Sequence, residues 1–351
     1  MSTLTRVRLK MPRSSLASLR VRIVSSFDDP LVAPQRWNQL LARGQTDSVN
    51  LTWEWQRNWW NSFGRGKLLL MLVERDGQPL CVAPLFAEHG IVFNICPEDQ
   101  LDFIGNVSET EVMVEVIQSL FEYVPDFQGM KLYFIPATSS TGVYLEQAAK
   151  QLGLACFQED CLAAPRLDLA AQSDLATLHT RKKSLVRHEN YFRRTGQLKV
   201  NHTRDAGEIF PQLDKFFSQH IARRNATTDP SLFVDPNQCD YYRNIVTSIG
   251  EKGWLRFTRL DWNGRAIAFH FGLGYHGRFL FGIPSFEVEF QRHSPGEVLL
   301  RQLLLAAIEE GATVFDFGPG QEAYKYRFAT SEVRLVTWGI YPKSSPLRAM
   351  R

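Results

Sequence analysis

Four side chains in the last third of the sequence are of types that move protons or stabilise negative charge: His270, Asp316, Tyr324 and Lys325. A lysine stabilises developing negative charge, a tyrosine protonates a leaving group, and a histidine or carboxylate takes up a proton. Glu322 offers a second base close to Lys325. Between His270 and Asp316 stands His293-Ser294-Pro295-Gly296-Glu297. Ser294 suits an N-cap and Pro295 the first helical position. Glu297 follows Ser294 by three residues, which completes a capping box. Gly296 has no Cβ, so a ligand could approach the backbone N–H groups closely. A helix start built this way is an anion site, most often for phosphate.

Each of these groups also has a bland reading. His270 could be a satisfied core histidine, Lys325 a surface helix cation and Tyr324 core packing. Asp316 sits on an otherwise apolar strand and needs a partner. That partner could be Lys325, an acceptor hydroxyl, or the backbone of the loop Gly318-Pro319-Gly320. The Asp-Phe-Gly string is no kinase signal, because no Val-Ala-x-Lys or His-Arg-Asp accompanies it.

The elements that must position these groups follow from local patterns. The order expected is a strand over 278–283, a helix over 295–310 and a strand over 313–317. A connection of that length makes the two strands parallel. It places the helix start near the C-terminal end of the first strand. The helix is apolar around nearly its whole circumference, so it is expected to be buried on most sides. Before it, Asn263-Gly264 and His276-Gly277 read as turns between three strands. On the middle strand, alternation puts Ala268, His270 and Gly272 on one face and Phe269 and Phe271 on the other. The second half reads β-α-α-β-β-β-α-β-α-β, and the first half is a looser version of the same mix.

In that first half, helices are expected over 34–42, 52–60 and 143–152, with Thr52 as a cap. Strands are expected at 67–74 and 79–86, around the turn Asp76-Gly77, and at 131–135. A boundary is expected within 160–176, where Ala163-Ala164-Pro165 and a small, polar stretch break the pattern. It divides a basic tail (1–20) and a first domain (21–165) from a second domain (166–351). A basic helix then runs through 181–194 with Arg187 in it. It reads either as a solvated face or as a phosphate-binding surface.

At 351 residues the chain is too long for one ordinary core. With 44% hydrophobic and 22% charged residues it is neither disordered nor fibrous. A net charge of +3 is too mild to demand a nucleic-acid partner. Five cysteines without a Cys-x-x-Cys argue for reduced thiols and against zinc. No segment reaches the ~18 apolar residues needed to span a bilayer, and no secretory h-region is evident. A cytoplasmic location is therefore expected, with peripheral membrane contact through the basic tail left open.

Ser294-Pro295-Gly296, Phe315-Asp316-Phe317-Gly318-x-Gly320 and Tyr324-Lys325 resemble the signature of the CelD/BcsL-like acyltransferases. That family lies in the GNAT superfamily and is related to the FemAB aminoacyltransferases. Trp53-Glu54-Trp55, Ala83-Pro84-Leu85, Leu101-Asp102-Phe103-Ile104-Gly105 and Lys183-Ser184-Leu185-Val186-Arg187 extend the resemblance across roughly residues 50 to 330. It implies an α/β (α+β) fold of two tandem GNAT domains, with mixed central sheets flanked by helices. It implies an N-acyltransferase that moves an acyl group from acetyl-CoA or a longer acyl-CoA to an amine, without a metal. The amine would belong to an amino sugar or a polysaccharide or cell-envelope precursor. The donor would lie between the splayed strands with its pyrophosphate at His293–Glu297, near Gly318 and Gly320. Lys325, Tyr324, Asp316 and His270 would be catalytic, and Arg187 and Glu322 would bind substrate. His293-Ser-Pro-Gly supplies one glycine where the usual GNAT loop supplies two. An aminoacyl-tRNA or carrier-protein donor therefore stays open, as does a non-catalytic binding module in polysaccharide assembly.

Overall fold

The computed structural model describes residues 19–96 and 98–347. The tail expected over 1–20 lies outside them except for Leu19 and Arg20, which open the first strand. The strands among the described residues are β1 (Leu19–Val24), β2 (Lys67–Arg75), β3 (Gln78–Glu88), β4 (Ile91–Asn94), β5 (Ile104–Gly105), β6 (Gly129–Pro136) and β7 (Ala155–Asp168). They continue as β8 (Leu198–Thr203), β9 (Leu255–Trp262), β10 (Arg265–Tyr275), β11 (Arg278–Phe286), β12 (Val314–Asp316) and β13 (Ser331–Tyr341). All belong to one mixed sheet in the order β1-β2-β3-β4-β6-β13-β7-β12-β11-β10-β9-β8, with β5 beside β3. The pairs β4–β6 and β11–β12 are parallel, and every other pair is antiparallel.

The hairpins form where the turn chemistry calls for them. Asp76-Gly77, Asn263-Gly264 and His276-Gly277 each hold two successive positive φ angles, the geometry of a type I′ turn. Thr52 caps the helix Trp53–Phe63 by accepting from Trp55 N. The helix Thr110–Tyr123 has no such signal, since Glu109 at its N-cap position makes no side-chain cap bond.

One expectation is corrected. The stretch 160–176 holds no break before Asp168, because β7 runs straight through Ala163-Ala164-Pro165. Both alanines are buried in the sheet, and the Pro165 carbonyl accepts from Phe317 N at 3.0 Å. Proline is tolerated there because its missing N–H falls just past the end of the β7–β12 ladder, whose last pair is Arg166 opposite Asp316. The mixed sheets expected for the two halves run together as one continuous sheet, in which the last strand, β13, lies between β6 and β7.

Helices cover both faces. The helices Lys183–Thr195 and Pro295–Glu309 pack over β9–β12 around Leu303, Leu304 and Phe315. The helices Thr110–Tyr123 and Thr141–Gln151 cover one face of β2–β6 around Met113 and Leu145. A third core joins Trp55 of the first half to Phe216, Tyr241 and Phe269 of the second. Burial of such side chains contributes about 1.5–3 kcal/mol each, so the halves are bonded by packing.

Candidate active site

β11 and β12 pair through only three residues each, ending at Leu280 opposite Asp316. β11 then continues to Phe286 against β10, while the chain after β12 turns away. In the β10–β11 ladder, Phe271 faces Ile283 and Leu273 faces Leu280, so Phe281 and Gly282 oppose Gly272 alone. A bulge of this kind bends the strand and frees backbone groups from the ladder. The two parallel strands therefore part, and a cleft of about 410 Å³ opens at their ends.

One wall is the loop after β12. Asp316 is fully buried; its Oδ2 accepts from Arg166 Nε at 2.9 Å and from Gln100 Nε2 at 3.3 Å. Its Oδ1 accepts from Gly318 N at 3.0 Å. Asp316 thus holds the loop and does not touch Lys325. Gly318 and Gly320 stand at φ +70° and +121°, backbone that a side chain would strain. Lys325 is 3% exposed, and its Nζ donates to the carbonyls of Gly318 (3.2 Å) and Pro319 (2.8 Å) and to Glu322 (3.0 Å). Those three partners account for the three ammonium hydrogens. Tyr324 and Glu322 also line the cleft. Burial pushes the Tyr324 phenol up to about 12.

The opposite wall comes from the first half, between β4 and β5. Asp102 anchors this segment, accepting from Thr46 and Thr141 hydroxyls (2.6 Å each) and Phe103 N. Phe134, at φ +59°, gives its carbonyl to Leu101 N. The segment so held presents Glu98 and Asp99 to the cleft. Glu98 Oε2 accepts from Trp55 Nε1 at 3.2 Å and the Tyr241 hydroxyl at 3.3 Å. Burial nevertheless raises its carboxyl to about 7. Asp99 is also lifted to about 7, by burial first and then by the charge of Asp316.

The third wall is the end of helix Leu213–Arg224. Arg223 donates to the Pro284 carbonyl at 2.6 Å and stacks over Phe286. Arg224 reaches toward the exposed Asp229, at 3.7 Å. His220 Nδ1 lies 2.8 Å or less from a hydroxyl, that of Ser231 at 2.7 Å. Burial, then Arg224 and Arg223, bring its imidazole down to about 4, so it is neutral at physiological pH.

The helix start is built differently from the expected capping box. Ser294 has φ +54° and makes no side-chain cap bond. In that conformation its carbonyl, not its hydroxyl, accepts from Glu297 N and Val298 N. Glu297 reaches Arg327 at 2.8 Å and His188 at 3.5 Å instead of the Ser294 backbone. His293 stacks flat on Tyr191 at 3.6 Å. Pro295 is buried, and a Cβ on Gly296 would meet the Phe286 ring at 3.2 Å. Gly296 thus makes room for an aromatic ring of the protein itself. None of His293, Ser294, Pro295, Gly296 and Glu297 lines the cleft.

His270 is fully buried between Phe279 and Phe281, with no hydrogen-bond partner on either ring nitrogen. Burial lowers its imidazole to about 3, and it does not line the cleft. Arg187 is exposed on the basic helix, away from the cleft. The structure therefore gathers Asp316, Gly318, Glu322, Tyr324 and Lys325, with Gly320 just behind Lys325. Glu98, Asp99, His220, Arg223 and Arg224 were not anticipated. Two adjacent acids just ahead of the Leu101–Gly105 motif were the one available signal. No group of three or more metal-ligating side chains gathers among the described residues, and none of the described helices is long and apolar enough to cross a membrane.

Residues 179–326 match the family model of the acetyltransferase (GNAT) domain. No curated protein matches the chain in sequence. Among solved structures, FemX superposes with a TM-score of 0.63 at 13% identity, over 91% of this chain and 98% of that one. The C-terminal domain (DUF2156) of a putative lysylphosphatidylglycerol synthetase from Agrobacterium fabrum gives 0.57 at 14% identity, over 90% and 93%. A tandem GNAT protein from the clavulanic acid biosynthesis pathway gives 0.50 at 12% identity, over 92% and 98%. At these identities the likeness is one of fold. The chain is a mixed α/β protein with two GNAT-type folds in tandem, as the resemblance implied.

Proposed function

We propose that the protein is an N-acyltransferase that moves an acyl group from an acyl thioester, acyl-CoA in the leading reading, to an amine. The observation that carries this is the cleft between the parting ends of β11 and β12, with one edge of β11 left unpaired beyond Leu280. An extended chain of amides could add to that edge as a strand would. The amine nitrogen attacks the thioester carbonyl carbon, and the C–S bond breaks. The excess amine proton passes to the Glu98 carboxylate, and the departing thiolate takes a proton from Tyr324. Backbone N–H groups freed at the bulge would steady the oxyanion. Lys325 acts as a positioning residue that holds the Gly318–Pro319 turn against the cleft. Residues 166–351 would carry the donor side, and residues 21–165 would supply the carboxylates that receive the acceptor amine. A CelD/BcsL-like role on an amino sugar or cell-envelope precursor is part of the same proposal.

The experiment is a thiol-release assay across acyl-CoA chain lengths with a panel of amines. No release, and no thermal shift with any acyl-CoA, would overturn the proposal.

One observation favours a second reading of the donor. Phe286 covers Gly296, and a carboxylate, Glu297, occupies the first helical turn where a pyrophosphate would sit. A donor without a diphosphate there, an aminoacyl ester or a carrier-bound thioester, meets no such charge. Equal kcat/KM for acetyl-CoA and a short acetyl-cysteamine thioester would favour this second reading.

A further inference from the structure

Most polar atoms of the cleft are already committed. Asp316 spends both oxygens on Arg166, Gln100 and the Gly318 amide. Lys325 has its hydrogens on two carbonyls and Glu322. Two groups on opposite walls each keep an open atom. Asp99 is 8% exposed, and its Oδ1 is enclosed without a hydrogen-bond donor. Arg224 Nε is enclosed without an acceptor, and the ion pair this guanidinium makes is with the exposed Asp229, at 3.7 Å. The enclosed Asp99 oxygen is left with its desolvation uncompensated, and the Arg224 side chain, 37% exposed, is reachable from the cleft. Each also has a helper: Glu98 beside Asp99, with the Trp55 and Tyr241 donors both on its Oε2, and Arg223 beside Arg224.

We propose that the acceptor is an amine that also carries an anionic group, with its amine end received by Asp99 and Glu98 and its anion by Arg224 and Arg223. The word acceptor rests on the acyl-transfer reading; the pairing of opposite charges rests on the open atoms. One ligand of this class satisfies both walls at once. A guanidinium offers paired N–H donors that fit a carboxylate or a phosphate equally. The acid wall, titrating near neutrality, receives an ammonium in its ionised form and accepts a proton from it as the amine becomes the nucleophile. An amino sugar without an anionic group would leave the Arg224 Nε still without an acceptor.

The test is calorimetric titration of the full chain with two matched pairs: glucosamine 6-phosphate against glucosamine, and 4-aminobutyrate against 4-aminobutanamide. The anionic member of at least one pair is expected to bind about tenfold tighter or better, the scale of one charge-assisted hydrogen bond. Which pair shows the difference tells phosphate from carboxylate. Arg224→Gln should erase the difference while leaving the melting temperature unchanged, and Asp99→Asn should weaken the anionic amine without restoring the neutral one. Equal binding within both pairs, no binding by any probe, or a difference that survives Arg224→Gln would overturn the inference. Thiol release with neutral amines only would also overturn it and leave acyl transfer standing. A charge-selective site that never releases thiol from acyl-CoA would do the reverse.

Discussion

Arg166 of β7 and Asp316 of β12 face each other in register and are joined Nε to Oδ2 at 2.9 Å. The carboxylate is fully enclosed, and Arg278 stands 4.0 Å away on its other side. A cross-strand ion pair this deep is an anchor for whatever the strand carries next. What β12 carries next is the loop of Gly318 and Gly320 that forms the cleft wall.

Removing one member should therefore do more than remove a charge. Asp316→Ala leaves Arg166 and Arg278 buried without their carboxylate, a loss of roughly 3–5 kcal/mol. Urea denaturation would read it directly. A loss under about 1 kcal/mol would mean that the loop is held by something else.

Lys325→Ala should lower kcat more than it weakens acyl-CoA binding. The ammonium ties down the Gly318 and Pro319 carbonyls, so its removal loosens a wall rather than a donor contact. Single-turnover rates set against donor titrations separate the two effects. Unchanged kinetics would remove Lys325 from the site.

Glu98 should set the acid limb of the rate profile. Its carboxyl is raised to about 7, so kcat/KM should climb about tenfold per pH unit below that value and level off above it. Glu98→Gln should lose that limb and about 10²–10⁴ in rate. The stability consequence has the opposite sense. The native state keeps a proton that the unfolded chain, near its ordinary value of about 4.3, has released. Stability thus falls as pH rises from about 4.3 to about 7, so Glu98→Gln should gain on the native sequence across that window and hold a constant advantage above it. A variant with an unaltered pH–rate profile would exclude Glu98 as the base.

His270→Phe should keep turnover within a few-fold and strengthen the fold. The native ring is lowered to about 3 from an ordinary value of about 6.5. Below pH 6.5 the unfolded chain takes up a proton that the native state refuses, so this histidine weakens the protein progressively down to about pH 3. The advantage of the variant should widen by about 1.4 kcal/mol per pH unit as pH falls from 6.5. Loss of turnover in a variant as stable as the native protein would instead give His270 a catalytic role.

What was legible in the sequence was whatever a local rule governs. The three type I′ turns, the Thr52 cap and the buried helix after Ser294 all follow from residues a few positions apart. The parallel crossover from β11 to β12 followed from the length of its connection. The Ser294 capping box failed because Glu297 had a better partner in Arg327, thirty residues downstream and invisible to a local pattern. Glu98, Asp99, Arg223 and Arg224 were missed for the same reason. Each is ordinary in its own segment, an acid in a loop or an arginine in a last helical turn. They become a site only when the two halves pack face to face around Trp55 and Tyr241.

The place of β13 between β6 and β7 bears on how the chain is made. A ribosome delivers β6 and β7 long before the strand that separates them, so the slot must stay unfilled while the entire second half emerges. Non-local pairings of this kind form slowly, and the edges that wait for them are prone to the wrong partner. A fragment that stops ahead of Ser331 would then present two unpaired edges in the middle of its sheet. Such a fragment would aggregate rather than behave as a smaller, free-standing protein.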